Sequence, residues 1–155
     1  MPVYWRRRLT RLEVGLYAAI VGVLIAVFIE RTLVYMELAE RTAMIVTVNN
    51  VNSALHIQRA LAMLDGRAEK QSQGNPLDVA QVRVRNRHPD MPDRQNIAQL
   101  ERGFWVYDQS RRELIYLPSL HRRLQTEDAQ STVPFRLLTD AAAYGLVPAV
   151  HYTWE

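Results

Sequence analysis

Cysteine is absent from the 155 residues, and lysine occurs once, at Lys70. Without cysteine there is no disulfide framework, no thiolate metal site and no cysteine nucleophile. Six glycines and seven prolines are too few for a low-complexity chain, and a hydrophobic content of 48% is too high for wholesale disorder. The length suits one modest domain with at most a short appendage. No proline stands between Pro2 and Pro76, so nothing in that stretch forbids a continuous helix. The chain also lacks a G-x-S-x-G elbow, a P-loop and a dinucleotide fingerprint. His56, His88, His121 and His151 are too scattered for a helical or hairpin metal pair. Asp90 and Asp93 flank Met91-Pro92, but Ca²⁺ needs six to eight oxygens, so a solvated turn is the simpler expectation. Ser119 and His121 are neighbours without the spacing of a nucleophile and its base. These absences leave no expected catalytic, cofactor-binding or metal-ligating residue, and the chain reads as a non-enzyme.

Charge is uneven. Arg6, Arg7, Arg8 and Arg11 supply +4 of a formal net charge of +3, which leaves −1 for the rest. The body is therefore close to neutral, and nucleic-acid binding has no electrostatic footprint. Arg111-Arg112 and Arg122-Arg123 are dibasic pairs in the second half. They read as solvated loop charges, with a surface for an acidic partner as the alternative.

Val14–Ile29 is a run of sixteen uncharged residues, and Leu12 extends it with Glu13 inside. A bilayer core of about 30 Å needs roughly 20 helical residues, with a minimum near 17. The run is short but sufficient. No A-x-A site follows Ile29; Glu30-Arg31-Thr32 does, which argues against a cleaved signal peptide. Four arginines before the span place the N-terminus in the cytoplasm by the positive-inside rule. Expected segments are a basic leader (1–11), a transmembrane segment (12–29), a helix continuation (30–66) and a periplasmic α+β domain (67–155). Gly15 and Gly22 could allow close helix packing.

Past the span, Val34, Leu38, Ile45, Val48, Leu55 and Ala62 recur at spacings of three, four or seven, roughly one helical face. Glu37, Glu40, Arg41, Asn50, Gln58 and Arg59 are left for the other faces. Thr42, Val46, Thr47, Val48 and Val51 are weak helix formers, so packing must hold this part. Asp65-Gly66 is the expected stop, and 67–76 is a polar connector. Val79, Val82 and Val84 could open a strand or short helix; 86–95 is a loop, and Ile97–Leu100 a helical turn. Gly103–Asp108 and Glu113–Pro118 read as a hairpin around Gln109–Arg112. Alternation sets Phe104 and Val106 against Trp105 and Tyr107, so both faces of the sheet should be covered. Val133–Leu138 and Val147–Trp154 read as two more strands around an Asp140–Gly145 connection. Trp105, Tyr107, Tyr116, Tyr152 and Trp154 are expected to pack the sheet rather than to cage a ligand. The class is α+β: one long N-terminal helix, its first half transmembrane, on about four antiparallel strands.

This layout resembles the type IV pilin and type II secretion pseudopilin superfamily. In sequence the likeness rests on two short stretches. Leu9-Thr10-Arg11-Leu12-Glu13 can be laid on the family's mature start, with Glu13 at its fifth position. Trp105-Val106-Tyr107-Asp108 and Leu114-Ile115-Tyr116 are similar to a W-x-Y-D … L-x-Y hairpin in pilin-like proteins. Arg8 stands where the processing peptidase needs glycine, Arg11 where an apolar residue is usual, and Glu30 where a helix-kinking proline is often found. The resemblance implies a pilin-like subunit of a type II secretion or type IV pilus-like machine in the bacterial inner membrane, and these departures fit a chain that keeps its leader better than a cleaved one. Glu13, Leu12, Val34, Leu38, Ile45 and Val48 would carry assembly, and Arg6, Arg7, Arg8 and Arg11 would set topology. For Glu13 the residues alone leave a second reading, local pairing at the membrane boundary with an arginine or water. Implied partners are membrane lipid and other machine subunits, with no cofactor. The competing reading is an unrelated bitopic adaptor or sensor.

Overall fold

A computed structural model describes residues 10–64, 74–92, 94–127, 130–140 and 144–154. The chain divides into two compact units, Met1–Met36 and Glu37–Glu155. Helix α1, Arg11–Leu64, contributes to both. In the first unit the described residues form that helix with its N-terminal cap. An 18-residue window of it is apolar enough to cross a membrane, and none of the window is buried. At 1.5 Å per residue it is about 27 Å long, close to the bilayer core. The expected stop at Asp65-Gly66 lies outside the described residues, as do Arg6, Arg7 and Arg8.

In the second unit, α2 (Pro76–Val79) opens on an Asn75 cap, whose Oδ1 accepts from Leu77 N at 3.0 Å, with Pro76 in the first turn. It closes on Gln81 at φ 55°, where Gln81 N and Val82 N return to the carbonyls of Asp78 and Leu77. Six strands follow: β1 Phe104–Asp108, β2 Glu113–Leu117, β3 Leu124–Thr126, β4 Val133–Thr139, β5 Tyr144–Pro148 and β6 Tyr152–Trp154. The main sheet is antiparallel in the order β1-β2-β4-β5; β3 pairs with β6 in a second, two-stranded sheet. The β1–β2 turn is set by Asp108, whose Oδ1 accepts from Ser110 N, Ser110 Oγ and Arg111 N.

Alternation along the hairpin works as the sequence implies. Trp105, Tyr107, Leu114, Tyr116 and Phe135 face the helix residues Met44, Val51 and Leu55. Val106, Ile115 and Leu117 face the opposite way and are covered by Ile97 of a 3₁₀ turn, Arg94–Gln99. Both edges of the main sheet have a partner over part of their length. Residues 86–91 run parallel to β1 and exchange backbone hydrogen bonds with Trp105, Tyr107 and Gln109. At the other edge Asn52 on α1 imitates a strand: its Oδ1 accepts from Leu146 N at 2.6 Å and its Nδ2 donates to Leu146 O at 3.2 Å. The approach needs Gly145 beside it, at φ 143°, where a Cβ would lie 2.9 Å from Asn52 Oδ1. Covered edges do not recruit further strands.

Three expectations need correction. Val147–Trp154 is not one strand: Pro148 ends β5, the chain bends through 149–151, and β6 leaves for the second sheet. Tyr144 and Gly145 belong to β5 rather than to a connection. Within the second unit the helix face on the sheet is Glu37, Met44, Val51, Leu55 and Ala62, with Val48 at its margin. Leu55 and Ala62 are buried as expected, but Leu38 is 50% and Ile45 39% exposed. Leu38 and Ile45 each stand one residue, about 100° around the helix, from the buried Glu37 and Met44.

Candidate functional site

The N-terminus of α1 is closed by a reciprocal pair. Thr10 Oγ1 accepts from Glu13 N at 3.3 Å, while Glu13 Oε2 accepts from Thr10 N at 2.7 Å and from Thr10 Oγ1 at 3.1 Å. This is a capping box, and it satisfies two donors that every helix start leaves open. T-x-x-E at 10–13 was readable as such in the sequence, beside the reading of Glu13 as an assembly residue. Among the described residues the local partner of Glu13 is Thr10; Arg6 and Arg8 lie outside them. Leu12 is 86% exposed and the residues to Ile29 are largely open to their surroundings, so this half of the helix finds no partner among the described residues of its own unit. Arg11 is the first helical residue and is exposed; Val34 is half-buried.

In the second unit the polar residues of α1 hold the sheet. Glu40 Oε1 accepts from Tyr116 Oη at 2.9 Å and from Ser119 N at 2.6 Å, and Oε2 accepts from Leu120 N at 2.9 Å. One turn earlier, Glu37 Oε1 accepts from Arg123 N at 2.8 Å and Trp154 Nε1 at 3.0 Å, with the residue 5% exposed. Two carboxylates three residues apart share a helix face. Here they face the β2–β3 loop, whose successive N–H groups make an anion-accepting concavity. The sequence leaves both for the faces other than the apolar stripe, and the structure turns them to the sheet. Further along, Arg59 lies 4.4 Å over the Tyr144 ring and reaches Asp140 O, and His56 meets the same ring edge-on.

The remaining polar candidates are structural in placement. Asp90 accepts from Asn75 Nδ2 and Arg87, which also grips Asp78. It is not a solvated turn, and Asp93 lies outside the described residues. The Arg87 hydrogen bond holds the Asp78 carboxyl below its ordinary value, against a smaller opposing effect of burial. His88 stacks on Phe104. Ser119 gives its N–H to Glu40. Among the described residues no three His, Asp or Glu side chains are placed to share a metal ion.

Burial raises the Tyr116 phenol well above its ordinary value, and the negative Glu40 beside it adds to the shift; burial also raises Tyr107 and Tyr152. An unfolded tyrosine loses its proton near pH 10, where these folded ones keep theirs. The unfolded state then binds fewer protons, so stability falls as pH rises above about 10. With one lysine and seven tyrosines in the chain, tyrosines dominate titration there. Melting temperatures between about pH 9 and 11 should fall steadily, and Tyr116→Phe should flatten that slope. An unchanged slope in the variant would remove Tyr116 as the source.

Compared with known proteins, the chain matches no family model, no curated protein and no solved structure, so what it is similar to rests on its own architecture: a long apolar N-terminal helix followed by an antiparallel sheet, a pilin-like arrangement.

Proposed function

We propose that the chain is a single-pass, membrane-anchored pilin-like subunit that works by assembly, not catalysis, in a type II secretion or type IV pilus-like machine. The observation that carries this reading is the division of labour on α1. The sheet takes the Met44–Val51–Leu55 face, while Leu12–Ile29 in the first unit and Leu38 and Ile45 in the second are left exposed. Lipid suits the first group. Neighbouring helices suit both. An unrelated adaptor would have no need of a sheet docked on 48–62 of the same helix. The basic leader sits on the cytoplasmic side and the β domain in the periplasm. Arg8 blocks processing, so the anchor is permanent.

The absence of cysteine makes the test clean. Leu38→Cys and Ile45→Cys, each in the full chain in native membranes, should resist carbonate extraction and cross-link to neighbouring subunits, with intact mass showing Met1–Arg8 still present. Release by carbonate would end the anchored reading; an anchored chain without cross-links would favour the adaptor. Glu13 is tested against Thr10. Both Thr10→Ala and Glu13→Ala break the same cap, at about 0.5–2 kcal/mol each. If Glu13 also contacts a neighbour, only Glu13→Ala impairs recruitment to the machine. Equal recruitment of the two variants would reduce Glu13 to a cap.

A further inference from the structure

The β domain is close to electroneutral, yet its carboxylates are unevenly used. Glu37, Glu40 and Asp108 take neutral N–H and O–H donors. Asp78 and Asp90 hold Arg87, and Glu113 holds Arg136 at 2.7 Å. Among the described residues, no carboxylate pairs with the guanidinium of Arg111 or Arg112. Both are exposed, and together with Arg136 they line one open cavity of about 270 Å³ beside the β1–β2 turn. Pro76 and Leu137 give that cavity an apolar side, and Tyr107 and Thr139 complete its wall.

Arg112 occupies its place at a cost. Its φ is 55°, the left-handed region in which glycine or asparagine is at ease. The turn therefore gains nothing from arginine here. Burial pushes the Tyr107 phenol up and the Arg112 charge opposes that shift, which puts the guanidinium within electrostatic reach of the cavity wall.

We propose that Arg111 and Arg112, at the mouth of this cavity, form a docking site for the carboxylate side chains of an acidic segment of a partner protein. Guanidinium forks match carboxylates in bidentate geometry. The apolar side formed by Pro76 and Leu137 suits the methylene stem of a glutamate, which inorganic phosphate lacks. The site belongs to the sheet and is independent of the helix contacts proposed above.

The experiment uses the full chain in non-ionic detergent at ~50 mM salt, where exposed charges are weakly screened. Binding of a labelled tetraglutamate peptide is followed by fluorescence anisotropy, with tetraglutamine as the control and inorganic phosphate as competitor. Tetraglutamate should bind and tetraglutamine should not. Arg111→Gln with Arg112→Gly should weaken binding about tenfold or more while the melting temperature stays level or rises, because glycine suits the turn. Arg122→Gln, an exposed arginine elsewhere, should leave binding within about twofold. No tetraglutamate binding, full binding by the double variant, or equal weakening by Arg122→Gln would overturn the proposal. Displacement by phosphate at concentrations equal to the peptide's would overturn the peptide assignment in favour of a small-anion site.

Discussion

Glu40→Ala should cost the β domain about 3 kcal/mol and lower its melting temperature by roughly 9–15 °C. The figure follows from what the carboxylate serves. Three donors end on it: the Tyr116 hydroxyl and the backbone N–H groups of Ser119 and Leu120. A hydrogen bond to a charged group contributes about 1.5–3 kcal/mol, and a stranded buried donor costs about 1–3. Simple addition would exceed the expected loss, but Ser119 is exposed and water can replace part of its bond. For a unit spanning Glu37–Glu155 each kcal/mol moves the midpoint by about 3–5 °C. Glu40→Gln keeps one acceptor oxygen and should lose about half as much. The measurement is thermal unfolding followed by near-ultraviolet circular dichroism, which reports Trp105 and Trp154 in the packed interior. A midpoint within about 3 °C of the parent would mean that water satisfies the loop as well as the carboxylate does.

The same residue shows where the sequence is readable and where it is not. The hairpin was legible because the strands β1 and β2 alternate against two separate cores, and because Asp108 and the polar turn after it punctuate the run. The continuous helix was legible from its lack of proline. The second sheet was not. β3 and β6 are three residues each, and nothing local in Leu124–Thr126 says that Tyr152–Trp154 will pair with it. Glu37 ties the two together, taking Arg123 N before β3 and Trp154 Nε1 within β6. A charged residue on a helix is read as outward by default, and here the default fails because the loop offers N–H donors in place of water. The capping box was present in the letters T-x-x-E, yet the same glutamate also fits a family pattern, and only geometry shows the bond it makes.

The helix stripe failed at Leu38 and Ile45 for a different reason, and that reason yields the last prediction. From Val34 to Leu55 the helix carries two apolar stripes one residue apart, Val34-Leu38-Ile45 and Met44-Val51-Leu55. Periodicity finds both and ranks neither. The structure assigns the sheet to the second: Met44 is 1% exposed and Val51 and Leu55 are fully buried, against 39% for Ile45. Matched substitutions should therefore diverge. Val51→Asp puts an unpaired carboxylate into the core beside Leu55 and should cost about 4–5 kcal/mol or more, enough to unfold a domain of ordinary stability. Ile45→Asp changes a surface position and should stay within about 0.5 kcal/mol of the parent. If the exposed stripe meets neighbouring helices, Ile45→Asp should nonetheless reduce cross-linking through Leu38→Cys by about tenfold, because a carboxylate buried at a helix interface is costly without a partner. A folded Ile45→Asp chain that still cross-links at parental yield would show that this stripe is merely wetted, and assembly would then have to run through the membrane segment alone.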